Sequence, residues 1–333
     1  MAETKLRWGI LSTARIGRQR FIPGVRNSQQ SEVVAVGSRD IAAARQFAAD
    51  LDIPKSHGSY EELLADPDVD AVYISLPNLL HREWTIRAAD AGKHVMCEKP
   101  HARRRRDAEE MAVACRAAGV LLMEAFMYRH HPQHTRVFEL VGEGVIGNPV
   151  MIRASFSYAM GADRREGRDV RVQPELEGGS LMDVGCYAVN AARYLFGAEP
   201  LEVAAQQRVD PALGVDTLFA GTLRFPGDRL AQIDGGFDAA GTQRYELAGA
   251  KGLIHVERAY LPGETPGQVH VITGGERRVV ESAAADQYAL EADHMARSIR
   301  AGRLLEPAED GVQQAAVIEA LYESAATGRA VRL

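Results

Sequence analysis

Residues 6–17 read LRWGILSTARIG, an apolar run that passes directly into a turn of small residues. The run predicts a buried strand, and the residues after it predict the start of a helix. A fold that binds a dinucleotide needs small residues at the first, third and sixth positions of this turn, because the backbone bends tightly and approaches a pyrophosphate. Ser12, Ala14 and Gly17 occupy these positions. Since Gly17 is the one glycine among them, the turn alone is equally typical of an ordinary strand–turn–helix.

The context of the turn comes from the first 125 residues, in which short apolar runs alternate with amphipathic stretches. The apolar runs are 6–11, 32–37, 71–76, 94–97 and 120–123, and the helical patterns lie near 15–27, 40–50, 59–65, 80–91 and 103–118. Strands that alternate with helices predict βαβ units with right-handed crossovers. We therefore expect a doubly wound parallel sheet of the Rossmann type, with a dinucleotide at its first turn.

The pattern changes after about residue 125. Helices are predicted at 132–142, 180–196, 285–301 and 309–327, and strands at 149–158 and repeatedly between 201 and 282. These later strands are spaced like an antiparallel meander with Gly-rich turns. The predicted domains are thus 1–125, an α/β dinucleotide-binding domain, and 126–333, an α+β domain with a large, mostly antiparallel sheet.

Composition narrows the class of protein. The 333 residues carry a net charge of −6 and 25 % charged side chains, which disfavours a nucleic-acid partner. The basic run 103–106 is followed by acidic residues and is interpreted as the solvated start of a helix. No apolar run is long enough to span a membrane, and the three cysteines are widely spaced, so we expect a reducing, cytoplasmic location.

The second strand ends in Ser38 and Arg39, where an NAD-specific site would usually place a carboxylate. A hydroxyl and a guanidinium suit a 2′-phosphate, so NADP is the preferred cofactor, with NAD as the alternative. Asp40 is predicted to cap the next helix. The residues expected to hold the phosphates are Ser12, Thr13, Ala14, Arg15, Ile16 and Gly17.

Two more segments follow later strands, at the sheet edge where ligands bind. One runs from Leu76 to His81, and the other is Cys97-Glu98-Lys99-Pro100. A lysine after a buried strand can bond a substrate hydroxyl, although a loop lysine is more often a surface charge. His81 is alternatively a helix-start residue satisfied by the backbone.

A further candidate pair lies in the predicted helix 180–196. Asp183 and Tyr187 are four residues apart and share a helical face. Such a polar–aromatic pair can line a sugar pocket, or it can be the rim of an ordinary packed helix.

The motifs WGILSTARIG, PNLLH, EKP, MEAFMYRHHPQH and GGSLMDVGCY together resemble the glucose–fructose oxidoreductase / inositol dehydrogenase (Gfo/Idh/MocA) family over nearly the whole chain. The resemblance implies a homodimer or homotetramer built on the open C-terminal sheet, and it places Lys99 at the reaction centre with a cis peptide bond to Pro100. Tyr187 stands where many members have His. This resembles the branch that contains glucose–fructose oxidoreductase, NADP-linked xylose dehydrogenase and dimeric dihydrodiol dehydrogenase, in which a Tyr paired with the Lys is the proposed proton carrier.

We therefore expect hydride transfer between a nicotinamide and a carbinol carbon of a sugar or polyol, such as C1 of an aldose. Tyr187 and Lys99 are expected to move the proton, and Asp183 to orient the sugar. The remaining expected cofactor contacts are Leu76, Pro77, Asn78, His81 and Glu98, and the expected substrate contacts are Arg129, Tyr158 and Arg171.

Several alternatives remain open from the sequence. Within the enzyme class they are a glucose–fructose oxidoreductase that retains NADP, a dihydrodiol dehydrogenase and a ketosugar reductase. From another class, a non-catalytic dinucleotide sensor is disfavoured because both Lys99 and Tyr187 are present. No metal is predicted, since the cluster His130, His131 and His134 lacks a matching ligand set.

Overall fold

The computed structural model of the protein describes residues 4–166, 169–305 and 309–333. The strands of this part are β1 (Leu6–Leu11), β2 (Ser31–Gly37), β3 (Lys55–His57), β4 (Ala71–Ile74), β5 (His94–Cys97), β6 (Leu122–Glu124), β7 (Pro149–Ser157), β8 (Glu202–Val209), β9 (Asp216–Phe225), β10 (Arg229–Gly236), β11 (Thr242–Gly249), β12 (Gly252–Val256), β13 (Gln268–Thr273), β14 (Glu276–Glu281) and β15 (Val331–Arg332). Its α-helices are α1 (Ile22–Asn27), α2 (Ile41–Asp50), α3 (Tyr60–Leu64), α4 (His81–Asp90), α5 (Arg105–Ala118), α6 (Pro132–Gly142), α7 (Ala162–Arg165), α8 (Cys186–Phe196), α9 (Gln287–Arg300) and α10 (Glu309–Thr327).

The chain divides into two packing units. The first contains Met1–His130 and Asp286–Val312, and the second contains His131–Ala285 and Gln313–Leu333. This differs from the predicted boundary at residue 125, because α9 belongs to the first unit. Its buried residues, among them Met295, join the apolar cluster around Trp8 and Phe21. A single boundary in the sequence cannot show that the chain returns to the first unit at Asp286.

The first unit is built on a six-stranded sheet in the order β3-β2-β1-β4-β5-β6, and all of its strand pairs are parallel. The predicted Rossmann fold is thus confirmed, although the short polar strand β3 was not predicted. Successive side chains of β1 point to opposite faces of the sheet. Trp8 and Ile10 pack in the apolar cluster on one face, and Leu11 packs in the cluster on the other. The strand order reverses between β1 and β4, since β2 and β3 lie on one side of β1 whereas β5 and β6 lie on the far side of β4. The carboxyl ends of β1 and β4 are the usual ligand site in such a sheet.

The second unit contains a nine-stranded sheet in the order β14-β13-β12-β11-β7-β10-β9-β8-β15. All neighbouring strands are antiparallel except β7 and β10, which confirms the predicted mostly antiparallel sheet. Ile152 and Ala154 on one face are buried, whereas Arg153 and Leu230 on the opposite face are exposed. One side of the sheet is therefore covered by the helices of this unit and the other side is open.

None of the described helices combines the length and the apolar character that crossing a bilayer requires.

Candidate active site

The turn after β1 has the backbone of a dinucleotide turn without its usual glycine. Ser12 has a φ of 112°, which lies in the region that favours glycine. The Ser12 amide donates to the carbonyl of Gly37 at 3.0 Å, and its Oγ lies 3.0 Å from the Oγ of Ser75. The hydroxyl also accepts the N–H of Ala14 at 3.2 Å. Ser12 thus ties the turn to the ends of β2 and β4.

The helix that follows the turn begins with a π-helical segment, Gly17–Phe21, before it continues as α1. A Cβ at Gly17 would meet Ile10 at 3.7 Å, which is an ordinary contact. Close packing of the helix on the strand therefore does not by itself require the glycine at this position.

The tip of β2 presents the pair expected for a 2′-phosphate. Ser38 is buried and its Oγ accepts the N–H of Asp40 at 3.3 Å. Asp40 caps α2 by accepting the N–H of Ala42 at 2.8 Å, as predicted. Arg39 is exposed, and its guanidinium forms a hydrogen bond with the hydroxyl of Tyr60. Burial raises the pKa of Tyr60, and the charge and hydrogen bond of Arg39 partly offset this rise. A cation is therefore available to solvent at this end of the sheet.

The loops after β4 and β5 are joined by His81, the first residue of α4. Its Nε2 lies 2.9 Å from the carbonyl oxygen of Leu76, and its Nδ1 lies 3.0 Å from that of Pro100. Burial lowers the pKa of His81, so the neutral ring is favoured. The side chain is 0 % exposed, which leaves no surface for the expected contact with a cofactor.

Residues 98–101, which include the predicted reaction-centre lysine, are held by side chains of β4 and β6. The hydroxyl of Tyr73 on β4 donates to Glu98, and Glu98 in turn accepts the N–H of Lys99 at 3.3 Å. The N–H of His101 donates to Glu124 at 2.8 Å. The peptide bond between Lys99 and Pro100 is cis, as the resemblance implied.

The second unit brings three of the predicted site residues together. Asp183 accepts the Nε–H of Arg171 at 2.8 Å with one oxygen and the hydroxyl of Tyr158 at 3.0 Å with the other. The carboxylate of Asp183 raises the pKa of Arg171, and burial followed by the charge of Asp183 raises the pKa of Tyr158. Arg171 is therefore a permanent cation here, and Tyr158 stays protonated.

Two residues that the sequence did not single out complete this cluster. Asp169 contacts Arg171 at 3.3 Å and accepts the Nε–H of Arg164 at 2.6 Å. The guanidinium of Arg164 lies 5.6 Å from the ring centre of Tyr158. The concentration of charges between 163 and 171 was the available sequence signal, but residues 167–168 lie outside the described part of the chain.

Tyr187 is 5 % exposed and packs in an aromatic group with Phe156 and Tyr260, with ring centres 5.3 Å apart in each pair. The helix was predicted as a regular α-helix, but Leu181–Gly185 is π-helical. Asp183 contacts Tyr158 while Tyr187 contacts Phe156, two residues earlier along the same segment. Both side chains therefore lie over the same end of β7.

The start of this helix is fixed by a buried carboxylate that the sequence did not reveal. Asp216 on β9 accepts the Ser180 hydroxyl at 2.8 Å and the Leu181 N–H at 2.7 Å with one oxygen. Its other oxygen accepts the Tyr322 hydroxyl at 2.9 Å. Gly179 has a φ of 126°, and a Cβ there would overlap Asp216, which explains a glycine at this position.

Arg129, the third expected substrate contact, lies in the first unit within the 3₁₀ turn Met127–His130. The pKa of His294 is lowered mainly by burial, then by the charge of Arg297 and then by the charge of Arg129. Within 4–166, 169–305 and 309–333, no three His, Cys, Asp or Glu side chains group as metal ligands would.

Comparisons with known proteins agree with these two units. Residues 6–126 match the "Oxidoreductase family, NAD-binding Rossmann fold", and residues 134–255 match the "GFO/IDH/MocA C-terminal domain". D-xylose 1-dehydrogenase (NADP(+)) 2 of Haloferax volcanii is 41 % identical over 330 residues, which cover 98 % of this chain and 99 % of that protein.

Two solved structures are similar over almost their full length. The aldose–aldose oxidoreductase from Caulobacter crescentus, complexed with glycerol, has a TM-score of 0.91 at 31 % identity, with 99 % of this chain and 100 % of that one covered. The 3-ketoreductase KijD10 from Actinomadura kijaniata, with NADP and TDP-benzene, has a TM-score of 0.90 at 33 % identity, with 96 % and 98 % covered. The chain therefore belongs to the GFO/IDH/MocA family of oxidoreductases.

Proposed function

We propose that the protein is an NADP-dependent dehydrogenase that oxidises C1 of a free aldose. The observation that carries the proposal is the Asp183 cluster beside Tyr187 in the second unit, in a chain 41 % identical to an NADP-dependent D-xylose 1-dehydrogenase. A carboxylate oriented by an arginine and a tyrosine, next to a second phenol, offers both hydrogen-bond acceptors for sugar hydroxyls and a proton carrier.

The first unit fits a dinucleotide. Ser12 takes the backbone conformation that a glycine would take in the fingerprint turn, and the strand order provides the reversal between β1 and β4. The N–H groups of Thr13, Arg15, Ile16 and Gly17 would hold the pyrophosphate, since those of Ser12 and Ala14 donate within the protein. Arg39 and Ser38 would hold a 2′-phosphate, and this favours NADP over NAD. The nicotinamide, when bound, accepts or supplies the hydride.

The chain's own residues would handle the proton. Oxidation at C1 of a cyclic aldose removes a hydride from carbon and a proton from the hydroxyl, and leaves a lactone. We assign the proton to Tyr187, assisted by the ammonium of Lys99, which favours a phenolate. Tyr158 is the poorer candidate because its pKa is raised and its hydroxyl donates to Asp183. Asp183 then orients the sugar.

The charges of the loop after β7 favour a neutral substrate. Arg164 pairs with Asp169, Arg165 with Asp238, and Arg171 with Asp183. Each of these arginines, within 160–166 and 169–178, is thus neutralised by a carboxylate. A nucleotide-linked sugar carries phosphates, which are bound best by cations that no carboxylate neutralises. A plain sugar therefore fits these residues better than a nucleotide-linked substrate of the KijD10 type.

A second candidate is favoured by the likeness to the aldose–aldose oxidoreductase, at a TM-score of 0.91. In that case NADP would stay bound while one aldose is oxidised and another is reduced. Nucleotide absorbance that survives gel filtration, together with ping-pong kinetics, would favour this candidate over release of the cofactor in each turnover.

Two further parts of the proposal concern assembly and location. We propose a homodimer or homotetramer that buries the open face of the second sheet, since an exposed sheet face with apolar side chains such as Leu230 is typical of an interface. We also propose a cytoplasmic location, which is supported by three buried cysteines whose side chains are thiols.

The decisive experiment is a set of initial rates with aldoses, polyols, dihydrodiols and a dTDP-ketosugar, each with NAD and NADP. We expect the highest kcat/KM for a pentose or hexose with NADP. Activity restricted to the nucleotide sugar, or to NAD, would contradict the proposal. Tight NADP binding without turnover of any of these compounds would indicate a dinucleotide sensor instead.

A further inference from the structure

His81 connects two loops at the carboxyl ends of neighbouring strands. Leu76 follows β4 and Pro100 follows β5, and the two strands pair directly in the parallel sheet. The imidazole lies between the loops, 2.9 Å from the carbonyl oxygen of Leu76 and 3.0 Å from that of Pro100. The ring is fully buried, so its polar atoms serve the backbone.

The segment Glu98–His101, here called the lysine loop, has further supports on either side. Tyr73, which stacks on Phe21 with ring centres 3.8 Å apart, donates its hydroxyl to Glu98. Glu124 on β6 accepts the N–H of His101 at 2.8 Å. His81 is the contact that fixes Pro100, the residue directly after Lys99. Together these contacts hold the backbone on both sides of the lysine.

We propose that His81 is a positioning residue that clamps the lysine loop to the loop after β4 and thereby determines where the ammonium of Lys99 stands. A neutral imidazole has one N–H, so it donates to one of the two carbonyls and only contacts the other. The part of the proposal that concerns Lys99 in turnover rests on the proposed function. The clamp itself rests only on the buried ring and its two backbone contacts.

An apolar residue at position 81 would fill the same space without any donor. A buried carbonyl that loses its donor costs about 1–3 kcal/mol, and the loop relieves this cost by moving toward water. A displacement of about 1 Å of a group in a reaction centre reduces the rate by about 100-fold. The clamp thus predicts a loss in kcat without a comparable loss of dinucleotide affinity.

The kinetic test compares His81→Leu, His81→Asn and His81→Gln with the wild type. Asn places an amide near the position of Nδ1, which faces Pro100, whereas Gln reaches the position of Nε2, which faces Leu76. We expect a 10- to 100-fold lower kcat for His81→Leu, a dissociation constant for NADP within about twofold of the wild type, and better recovery by Asn than by Gln. A weaker NADP complex with unchanged kcat would overturn the clamp in favour of a cofactor contact.

The matched control is His94→Leu. His94 also contacts backbone, since its Nδ1 accepts the N–H of Leu121 at 3.0 Å, but it lies at the start of β5, at the other end of the sheet. Its replacement is expected to lower the thermal midpoint without changing kcat. If both variants lose the same stability and neither loses kcat, His81 has no positioning role.

A second readout does not depend on activity. The amide hydrogens of Lys99 and His101 are bonded in the lysine loop, and their exchange with deuterium can be followed. We expect exchange at least tenfold faster in His81→Leu, or in His81→Gln if the leucine variant does not fold, and no change in His94→Leu. Unchanged exchange overturns the clamp even in an active enzyme. A wild type that oxidises no sugar refutes the proposed function, while the exchange still decides the clamp.

Discussion

At the scale of single residues, Arg39 carries the prediction of cofactor preference, since it is an exposed cation directly after β2. We expect Arg39→Ala to raise the KM for NADP by about 10- to 100-fold, because a charge-assisted hydrogen bond contributes about 1.5–3 kcal/mol. The KM for NAD should change little. Initial rates with both cofactors measure the effect. Arg39→Lys keeps the charge but not the planar fork, so its KM for NADP should lie between that of the wild type and that of Arg39→Ala. Equal changes for both cofactors would contradict a 2′-phosphate contact.

Tyr187 carries the prediction about proton transfer. We expect Tyr187→Phe to lower kcat by about 10²- to 10⁴-fold, the usual contribution of a general base, and to leave the fold intact because the ring still packs on Phe156 and Tyr260. The measurement is kcat with NADP and the best sugar. Tyr194→Phe is the matched control, since that ring packs on Phe138 with ring centres 4.8 Å apart. Near-normal turnover of Tyr187→Phe would remove this residue from the mechanism.

The sequence predicted several individual site residues but not their supports. Tyr158, Arg171 and Asp183 were expected near the substrate, and the structure brings them together. Asp216 could not be predicted, because its partners Ser180 and Tyr322 lie 36 and 106 residues away. His81 was assigned to the cofactor because it follows a strand in a recognisable motif, whereas only the folded loops show its ring enclosed by backbone.

At the scale of elements, the helix that carries Asp183 and Tyr187 depends on the contact between Gly179 and Asp216. We expect Gly179→Ala to destabilise the protein by several kcal/mol, since its Cβ would overlap Asp216 and its φ of 126° disfavours any side chain. Denaturation by urea measures the loss. Gly197→Ala is the control: that glycine also has a positive φ, of 57°, but a Cβ there would meet nothing within 4 Å. Equal losses would mean that backbone conformation alone explains the effect.

The elements that the sequence missed share a physical cause. β3 has three polar residues, and β15 has two residues. Neither of them has the apolar alternation by which strands are recognised, because each lies at an edge of its sheet. The π-helical start of the site helix was missed for a related reason, since the sequence pattern of a single π turn is too close to that of an α-helix.

At the scale of the whole molecule, the buried carboxylate of Asp66 links stability to pH. Burial would raise the pKa of Asp66, but the bonds from Lys55, the Asp68 N–H and His57 outweigh it and lower this pKa from 3.8 to about 2. A lowered folded-state pKa stabilises the protein above about pH 4, and the contribution is lost as the pH falls toward 2. We expect Asp66→Asn to lose up to about 2 kcal/mol at pH 6, reduced by the 39 % exposure of Lys55.

Urea denaturation at pH 6 and at pH 3 measures this effect. The difference between the wild type and Asp66→Asn should shrink at the lower pH, because the Asp66 carboxyl of the unfolded chain, with its ordinary pKa of 3.8, takes up a proton at pH 3 while that of the folded protein is still mostly ionised. A difference of equal size at both values would mean that the substitution acts through shape and not through charge.

The open sheet face predicts how copies of the chain assemble. Leu230 on β10 is 45 % exposed and lies beside Met151 of β7 in the register of the sheet. If this face is buried in a dimer, Leu230→Asp places an unpaired charge in an apolar interface, which costs several kcal/mol and should release the monomer. Light scattering after gel filtration measures the mass. Val113→Asp, at a position 55 % exposed on α5, is the matched control and should keep the wild-type mass. A monomeric wild type, or dissociation by both substitutions, would contradict assembly through this face.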